Sequence, residues 1–206
     1  NPISGVGKQK VVEKLVAKHL DSSKFDYTIK YTERAKHGME ISANNASNFN
    51  VIVAVGGDGS VNEIGKQLIN SNTTLAIIPA GSGNGLARNL KIPMNIKKAI
   101  FLINQGKTKS IDAVKINNDH FLGTAGVGFD AYISWRFEEA PTRGLLTYLK
   151  VALKGFWTYK SSDYNIQYDG KEKKISKGML VTFANSKQYG NNILIAPEAN
   201  IDDGLV

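Results

Sequence analysis

The chain has 206 residues, of which 42% are hydrophobic and 21% are charged, and this length suits one large domain or two small ones with hydrophobic cores. No run approaches the ~20 consecutive apolar residues of a membrane-spanning helix, and the first residues carry no charged-then-apolar leader. The absence of cysteine excludes a disulfide framework and a thiolate zinc site, and the three histidines are too scattered to predict a metal cluster. These features indicate a cytoplasmic protein.

Positive charge is concentrated in the first half of the chain. Lys and Arg number 26 against 18 acidic residues, and the formal net charge is +8. The first 106 residues hold 13 basic and 7 acidic side chains. Such a surplus could attract nucleic acid, phosphorylated small molecules or an anionic membrane. A lysine-rich surface facing water would explain it equally well.

The first half alternates predicted helices and strands. The run Val51–Val55 is apolar throughout, which is typical of a strand buried on both faces of a parallel sheet. Strands that alternate with helices imply an α/β domain with right-handed crossovers. Apolar spacing predicts, in order, helix 11–20, strand 27–31, helix 33–48, strand 51–55, helix 61–70, strand 75–78 and helix 96–104.

After Gly106 the sequence changes to short alternating runs that are typical of β-structure. Asp169-Gly170 predicts a hairpin turn, and one helix is predicted over 144–157, where apolar residues share a face. We therefore predict an α/β domain over residues 1–106 and a mainly β domain over residues 107–206. The predicted strands of the second domain are 111–116, 164–168, 173–176 and 179–184.

The sequence Gly56-Gly57-Asp58-Gly59-Ser60 directly follows the buried strand and precedes a helix. Glycines let backbone N–H groups approach phosphate oxygens, and a helix N-terminus adds a partial positive charge. A carboxylate at Asp58 makes chemical sense beside phosphates if it carries magnesium or accepts a proton from an attacking hydroxyl. The alternative is a glycine-rich turn in which Asp58 is the helix N-cap.

A second glycine loop, Pro79–Gly85, follows the next predicted strand. The carboxyl ends of parallel strands lie at one edge of a sheet, where ligands of open α/β sheets bind. The loop Asn1–Lys8 also precedes a helix but lacks the Gly-x-x-x-x-Gly-Lys-Ser/Thr pattern of a P-loop. No dinucleotide-binding fingerprint follows a strand, so an NAD-dependent redox enzyme is disfavoured.

Five motifs occur in order along the chain: Asn1–Gly5, Gly56–Glu63, Pro79–Arg88, Ala125–Ala131 and Pro197–Gly204. Together they resemble the diacylglycerol kinase catalytic-domain family, which includes bacterial lipid kinases and the sphingosine and ceramide kinases. The resemblance implies an α/β domain like those of phosphofructokinase and NAD kinase, followed by a β-sandwich that is incomplete in this chain. It also implies ATP bound between the two domains.

The resemblance also implies roles for individual residues. Asp58 matches the acid that sphingosine kinases are thought to use as a base, and Ser60 replaces a common threonine while keeping its hydroxyl. Arg143 could reach a phosphate through its planar guanidinium, or be an exposed charge at a helix start. The positions implied to contact nucleotide are Asn1, Thr32, Gly57, Asp58, Gly59, Ser60, Glu63, Gly81, Ser82 and Gly83.

Two further sites follow from the same motifs. Asp203 matches a family position that holds a structural magnesium ion, with backbone carbonyls of Asn200 and Leu205 completing an oxygen shell. The alternative is an ordinary Asp-Asp-Gly turn. Asp130 matches a position that could orient the lipid hydroxyl, or it is a turn residue after Gly128-Phe129.

The implied activity is ATP- and magnesium-dependent phosphorylation of a hydroxyl of diacylglycerol, a sphingoid base or a related lipid. This would be a kinase of lipid metabolism, with a role in phospholipid biosynthesis. The loop Gly81–Ala87 is closer to the sphingoid and ceramide kinases than to bacterial diacylglycerol kinases. An NAD kinase-like enzyme and a non-enzymatic nucleotide-binding regulatory module are the alternatives.

The implied partners are a lipid substrate and an anionic membrane, contacted peripherally through basic surface or through insertion of the region from Trp135 to Trp157. Those aromatic residues, with Phe137, Phe156 and Tyr159, would line a lipid pocket or fill a core. No nucleic-acid partner is expected, and a homodimer is an open alternative. Because the family continues beyond Asp-Asp-Gly, we expect a longer polypeptide and a poorly stable isolated piece with unpaired strand edges.

Overall fold

The computed structural model describes residues 9–138 and 145–206. The chain forms two compact units, one made of Asn1–Thr124 together with Ala184–Val206 and the other of Ala125–Phe183. The first unit is therefore discontinuous in sequence. The predicted domain boundary at residue 106 stays a prediction. No helix within the described residues has the length and apolarity needed to cross a bilayer.

The first unit is an α/β structure around a parallel pair of strands, as predicted. Strands β1 and β2 run in register from Val51 opposite Thr74 to Gly56 opposite Pro79. A 3₁₀ turn at Lys66–Leu68 follows α3. The elements in order are α1 (Gln9–His19), α2 (His37–Asn45), β1 (Val51–Gly56), α3 (Asp58–Gly65), β2 (Thr74–Pro79), α4 (Gly85–Asn89) and α5 (Ile96–Asn104).

Side chains of β1 and β2 alternate between two hydrophobic clusters. Ala54 and Ile77 belong to one cluster, while Val55 and Ile78 pack in the other. Because successive strand residues point to opposite faces, both faces of the sheet are covered near the carboxyl ends of the strands. This burial accounts for the apolar residues at the end of β1, whereas Val53 earlier in the strand is 37% exposed.

The predicted strand at 27–31 is wrong. This segment has no regular secondary structure, and Tyr27, Ile29 and Tyr31 are 50%, 44% and 43% exposed. A strand needs a neighbour to satisfy its backbone N–H and C=O groups, and the segment has no ladder partner among the described residues. Alternating sequence alone therefore did not determine a strand here.

The rest of the first unit adds two hairpins, β3–β4 and β9–β10. Lys66 binds both carboxylate oxygens of Asp119 in β4 at 2.8 and 2.9 Å, and this hydrogen bonding lowers the pKa of Asp119. The pair holds the first hairpin against the end of α3. The strands are β3 (Val114–Ile116), β4 (Asp119–Phe121), β9 (Gln188–Gly190) and β10 (Ile193–Leu194).

The last residues of the chain complete this unit. Ile201 is 4% exposed and lies in the same cluster as Ala54. Its carbonyl accepts a hydrogen bond from Asp112 N at 2.8 Å. The fully buried Asn185 donates its amide hydrogens to the carbonyls of Asp112 and Leu122 at 2.9 and 2.8 Å. The core of the unit thus joins residues far apart in sequence.

The second unit combines antiparallel strands with two helices. Asp169 and Gly170 both have positive φ, 48° and 70°, at the predicted hairpin turn between β6 and β7. The predicted helix over 144–157 is present as α7, but α6 was not predicted, because its aromatic and apolar residues occur on all sides. The elements are β5 (Thr124–Gly128), α6 (Phe129–Glu138), α7 (Leu145–Thr158), β6 (Ser162–Tyr168), β7 (Lys171–Gly178) and β8 (Leu180–Ala184).

Candidate functional site

Two glycine loops leave the carboxyl ends of β1 and β2 side by side. Gly56 and Pro79 form the last pair of the parallel ladder, and Ala80 N donates to the carbonyl of Gly56 at 2.9 Å. Beyond this pair the backbones approach so closely that a Cβ on Gly81 would overlap the Cα of Gly57 and lie 3.0 Å from its nitrogen. The close approach of the loops therefore requires glycine at position 81, and a Cβ at position 57 would lie in tight contact, 3.1 Å from the Cα of Gly81.

Asn84 holds the second loop in shape. It adopts the left-handed conformation with φ 53° and is 7% exposed. Its Oδ1 accepts from Gly81 N at 3.1 Å, and its Nδ2 donates to Gly81 O at 2.8 Å. This paired bond closes the turn on itself. The predicted site residues did not include Asn84, although asparagine is a residue that tolerates this conformation.

Asp58 is the first residue of α3 and is exposed. The N-cap is Gly57, without a side-chain cap hydrogen bond, so the interpretation of Asp58 as the N-cap is wrong. One carboxylate oxygen accepts from Leu86 N at 3.4 Å, and the other would lie 2.9 Å from a Cβ on Gly83. The carboxylate of the first loop thus faces the second loop.

Thr32 and Glu63 lie together near the start of α2. Glu63 accepts from Lys36 N at 3.4 Å, and both Glu63 and Thr32 border the position of a Cβ on Gly38, at 3.3 and 3.6 Å. Thr32 Oγ1 is buried and has no hydrogen-bond partner among residues 9–138 and 145–206. Since buried hydroxyls are normally paired, this atom can bind a polar group of a ligand. Glu63 is on the same helix as Asp58, five residues further on.

The remaining loop positions differ in how much room they leave. No atom of the described residues lies within 4 Å of a Cβ built on Gly59, and Ser82 is exposed. Ser60 instead packs over Gly56, and a Cβ built on Gly56 would lie 2.7 Å from the Cβ of Ser60. The open side of the loops is therefore at Gly59 and Ser82. Backbone N–H groups and a helix N-terminus in such a place suit phosphate.

Three predicted site residues cannot be located in the same way. Asn1 and Arg143 lie outside the described residues. Asp130 is the second residue of α6, so it is not the turn residue of the alternative interpretation, and its side chain is outside the described part. Their predicted roles stay predictions.

The candidate magnesium position is a turn near residue 203. Asp203 Oδ1 accepts from Leu205 N at 3.1 Å, and Asp112 Oδ2 accepts from Gly204 N at 2.7 Å. Asn200 and Leu205 are exposed. Across 9–138 and 145–206, no three His, Cys, Asp or Glu side chains are grouped as a metal site would require. An ion here would depend on Asp203 and backbone carbonyls, an all-oxygen set that fits magnesium.

The β9–β10 hairpin packs on the second glycine loop, which the sequence did not predict. Arg88 in α4 donates from Nε to the carbonyl of Gly83 at 3.0 Å and from Nη1 to Asn192 Oδ1 at 2.9 Å. Asn191 N also donates to Gly83 O, at 3.2 Å. A Cβ on Gly85 would lie 3.0 Å from the carbonyl oxygen of Gln188. Residues about 100 positions away thus fix the loop.

Comparisons with known proteins agree with this geometry. Residues 1–116 match the family described as diacylglycerol kinase catalytic domain, and residues 123–206 match the YegS C-terminal NAD kinase beta sandwich-like domain. The second match supports the sandwich-like class predicted for the second part of the chain.

Individual relatives share this family. A Mycobacterium tuberculosis protein named diacylglycerol kinase is 31% identical over 168 residues, covering 78% of this chain and 54% of the relative. A Yersinia enterocolitica protein named probable lipid kinase YegS-like is 30% identical over 162 residues, which cover 75% of this chain and 54% of the relative. The chain spans about half the length of these curated relatives.

A solved structure supports the same assignment. The crystal structure of a diacylglycerol kinase from Bacillus anthracis superposes with a TM-score of 0.74 at 28% identity, covering 99% of this chain and 68% of that one. Together with the family match over more than half of the residues, this establishes the relationship. The chain belongs to the diacylglycerol kinase catalytic-domain family.

Proposed function

We propose that this chain carries the ATP-binding portion of a lipid kinase, which transfers the γ-phosphoryl group of ATP to a hydroxyl of diacylglycerol, a sphingoid base or a related lipid. One observation carries the proposal. Two glycine loops meet at the carboxyl edge of the parallel strands, and the carboxylate of Asp58 lies between them.

The loops and α3 would bind the phosphates of ATP. Gly59 and Ser82 leave the backbone open within the described residues, and the N-terminus of α3 contributes N–H groups that have no carbonyl partner inside the helix, together with a partial positive charge. Thr32 Oγ1, buried and unpaired, would donate to a polar atom of the nucleotide. The nucleotide set predicted from sequence completes this proposal: Asn1, Gly57, Asp58, Ser60, Glu63, Gly81, Gly83 and Arg143.

The proposed reaction is an in-line phosphoryl transfer. The lipid hydroxyl oxygen bonds to the γ-phosphorus as the bond to the β-phosphate bridging oxygen breaks, and ADP leaves with that electron pair. Asp58 would accept the hydroxyl proton and release it to solvent. Asp130 would orient the hydroxyl. Magnesium, when bound, neutralises phosphate charge, and Asp203 with the carbonyls of Asn200 and Leu205 would hold a structural ion.

The test is transfer of label from γ-labelled ATP to a panel of lipids dispersed in detergent. We expect label on a lipid hydroxyl, and loss of at least about 100-fold in Asp58→Asn because the proton acceptor is removed. Asp26→Asn, an exposed acid in the segment before Thr32, is the matched control. Label on NAD alone would refute the proposal in favour of an NAD kinase, and unchanged activity in Asp58→Asn would refute the role of that carboxylate.

A lipid substrate also requires contact with a membrane. We propose a cytoplasmic protein that visits anionic membranes peripherally, since the first 106 residues hold 13 basic and 7 acidic side chains. Lys10, Lys14 and Lys18 are exposed on α1 at intervals of four residues. Salt-sensitive binding to anionic vesicles is expected, and salt-independent binding would contradict the electrostatic part of this proposal.

A further inference from the structure

The turn formed by residues 32–36 leads into α2 and borders the proposed nucleotide site at both ends. Thr32 begins the turn, and its Oγ1 is buried without a hydrogen-bond partner in the described part of the chain. Lys36 ends the turn with a left-handed φ of 63° and donates its N–H to Glu63 Oε1 at 3.4 Å. The contacts that fix the 32–36 turn therefore also position Thr32.

The side chain of His37 fixes the 32–36 turn next to Thr32. His37 is the first residue of α2, and its Nδ1 accepts the backbone N–H of Glu33 at 3.1 Å. The backbone N–H of His37 in turn donates to the carbonyl of Arg34 at 3.3 Å. Because Glu33 directly follows Thr32, the imidazole restrains the backbone beside the unpaired hydroxyl. The predicted site residues did not include His37.

The hydrogen bond from Glu33 to His37 depends on the protonation state of the imidazole. A backbone N–H can only donate, so Nδ1 has to present a lone pair to Glu33. Neutral histidine with its proton on Nε2 has this lone pair, whereas protonated histidine carries a hydrogen on both ring nitrogens. Histidine is the side chain that commonly changes charge between pH 5 and 8. The Glu33 N–H therefore loses its acceptor when His37 is protonated.

The charged groups closest to His37 in sequence keep their arrangement while an imidazole titrates. Arg34 donates from Nη1 and Nη2 to the two carboxylate oxygens of Glu40 at 2.7 and 2.6 Å. These hydrogen bonds hold the pKa of the Glu40 carboxyl below its usual range, so Glu40 stays charged at mildly acidic pH. The side chains of Glu33 and Lys36 are exposed to solvent, where charge interactions are weak. None of these groups offers the Glu33 N–H a substitute for Nδ1.

The elements packed against α2 bring further charged side chains. The 3₁₀ turn that follows α3 contributes Lys66, which is paired with Asp119, and the Asp58 carboxylate of α3 faces the second glycine loop. Glu63 of α3 is the one that faces the start of α2, since its Oε2 lies 3.3 Å from the position of a Cβ on Gly38. Gly38 directly follows His37, so a change in the 32–36 turn reaches Glu63 as well as Thr32.

We propose that His37 is a positioning residue of the nucleotide site and that it acts only as the neutral imidazole. Neutral His37 fixes the 32–36 turn so that Thr32 Oγ1 and Glu63 face the nucleotide. Protonation removes the acceptor of the Glu33 N–H and loosens the turn, so the affinity for nucleotide falls as the pH falls from about 8 to about 5.5. This inference rests on the proposed function, since it takes Thr32 as a nucleotide contact.

The first test needs no nucleotide. In the isotope-labelled full-length protein, the amide resonance of Glu33 should move between about pH 8 and about pH 5.5, because its hydrogen bond is lost in this range. In His37→Asn the resonance should stay in place, because Oδ1 of asparagine is bonded to Cγ as Nδ1 of histidine is and accepts at every pH. A Glu33 resonance that does not move in the wild type, or that moves equally in His37→Asn, would overturn the proposal.

The second test is the affinity for a non-hydrolysable ATP analogue with magnesium, measured by titration calorimetry. Between about pH 8 and about pH 5.5 the wild type should lose about fivefold more affinity than His37→Asn, the factor that corresponds to one hydrogen bond. Titration of the terminal phosphate affects both proteins alike, so their difference reports His37. His37→Gln, whose amide lies one bond further from the backbone, should bind about fivefold more weakly than His37→Asn already at the higher pH.

The control variant is His120→Asn, which removes a partly buried histidine of β4 and should keep the pH profile of the wild type. Nucleotide binding with the same pH dependence in the wild type and in His37→Asn would refute this inference and retain the proposed function. Movement of the Glu33 resonance without nucleotide binding at any pH would refute the proposed function, and with it the role of His37 toward a nucleotide.

Discussion

The contact between Gly57 and Gly81 predicts the effect of a single methyl group. In Gly81→Ala the new Cβ would overlap backbone atoms of the other loop, which cannot move aside as a side chain would. Overpacking typically costs about 1–3 kcal/mol, and backbone neighbours favour the upper end. Alanine also reduces the conformational freedom of the unfolded chain, which stabilises the folded state by about 0.4–1 kcal/mol. We therefore expect the free energy of unfolding to fall by about 2 kcal/mol in total.

Calorimetry can measure this loss. At about 2–4 °C per kcal/mol for a chain of this size, the unit that holds both loops should melt about 4–8 °C lower. Gly59→Ala is the matched control for stability, because it lies in α3 and its Cβ would meet no atom of the described part of the chain within 4 Å. Alanine there should raise the melting temperature by about 2 °C. If Gly81→Ala melted at the same temperature as Gly59→Ala, the loops could not approach as described.

Three other variants test neighbouring features. Asn84→Gly keeps the left-handed turn but removes both hydrogen bonds to the Gly81 backbone, so the free energy of unfolding measured in urea should fall by about 1–2 kcal/mol. A change below about 0.3 kcal/mol would count against these two hydrogen bonds. Arg88→Lys loses the guanidinium that hydrogen-bonds to both Gly83 and Asn192, so we expect KM for ATP to rise about fivefold while kcat is preserved. An unchanged KM would show that the β9–β10 hairpin does not position the second glycine loop. Asp203→Asn keeps an acceptor for the Leu205 amide but loses the negative charge. The melting temperature should then no longer depend on magnesium, while stability without metal is retained. A normal magnesium response would exclude an ion at this turn.

Local patterns predicted the parts of the fold that depend on local chemistry. A parallel strand that ends in a loop before a helix was predicted from the apolar run of β1, from the glycines after it and from Asp58. The structure confirms this arrangement. Asp169-Gly170 likewise marked a hairpin, because a tight turn needs residues that tolerate positive φ. In each case a few adjacent residues determine the conformation.

Features that depend on distant residues could not be predicted in this way. The alternation of polar and apolar residues at 27–31 gave no indication that a partner strand was lacking. In α6, aromatic and apolar residues occur on all sides of the helix, so the sequence shows no helical period of hydrophobicity there. The packing of Arg88 on Asn192 joins residues 104 positions apart. Apolar spacing also cannot show that Trp157 is exposed, since the same residue pattern serves a core face or an interface.

The discontinuity of the first unit has a consequence for synthesis on the ribosome. Domains usually fold as units, N-terminal first, as they emerge. Here the cluster around Ala54 includes Ile201, and Asp112 hydrogen-bonds to that residue near the end of the chain. The first unit is therefore the first to begin emerging and the last to be completed, since its second glycine loop lacks the β9–β10 hairpin until late in synthesis. Contacts of such long range slow folding, so the nascent chain holds an open glycine loop and an incomplete core until translation has passed residue 201.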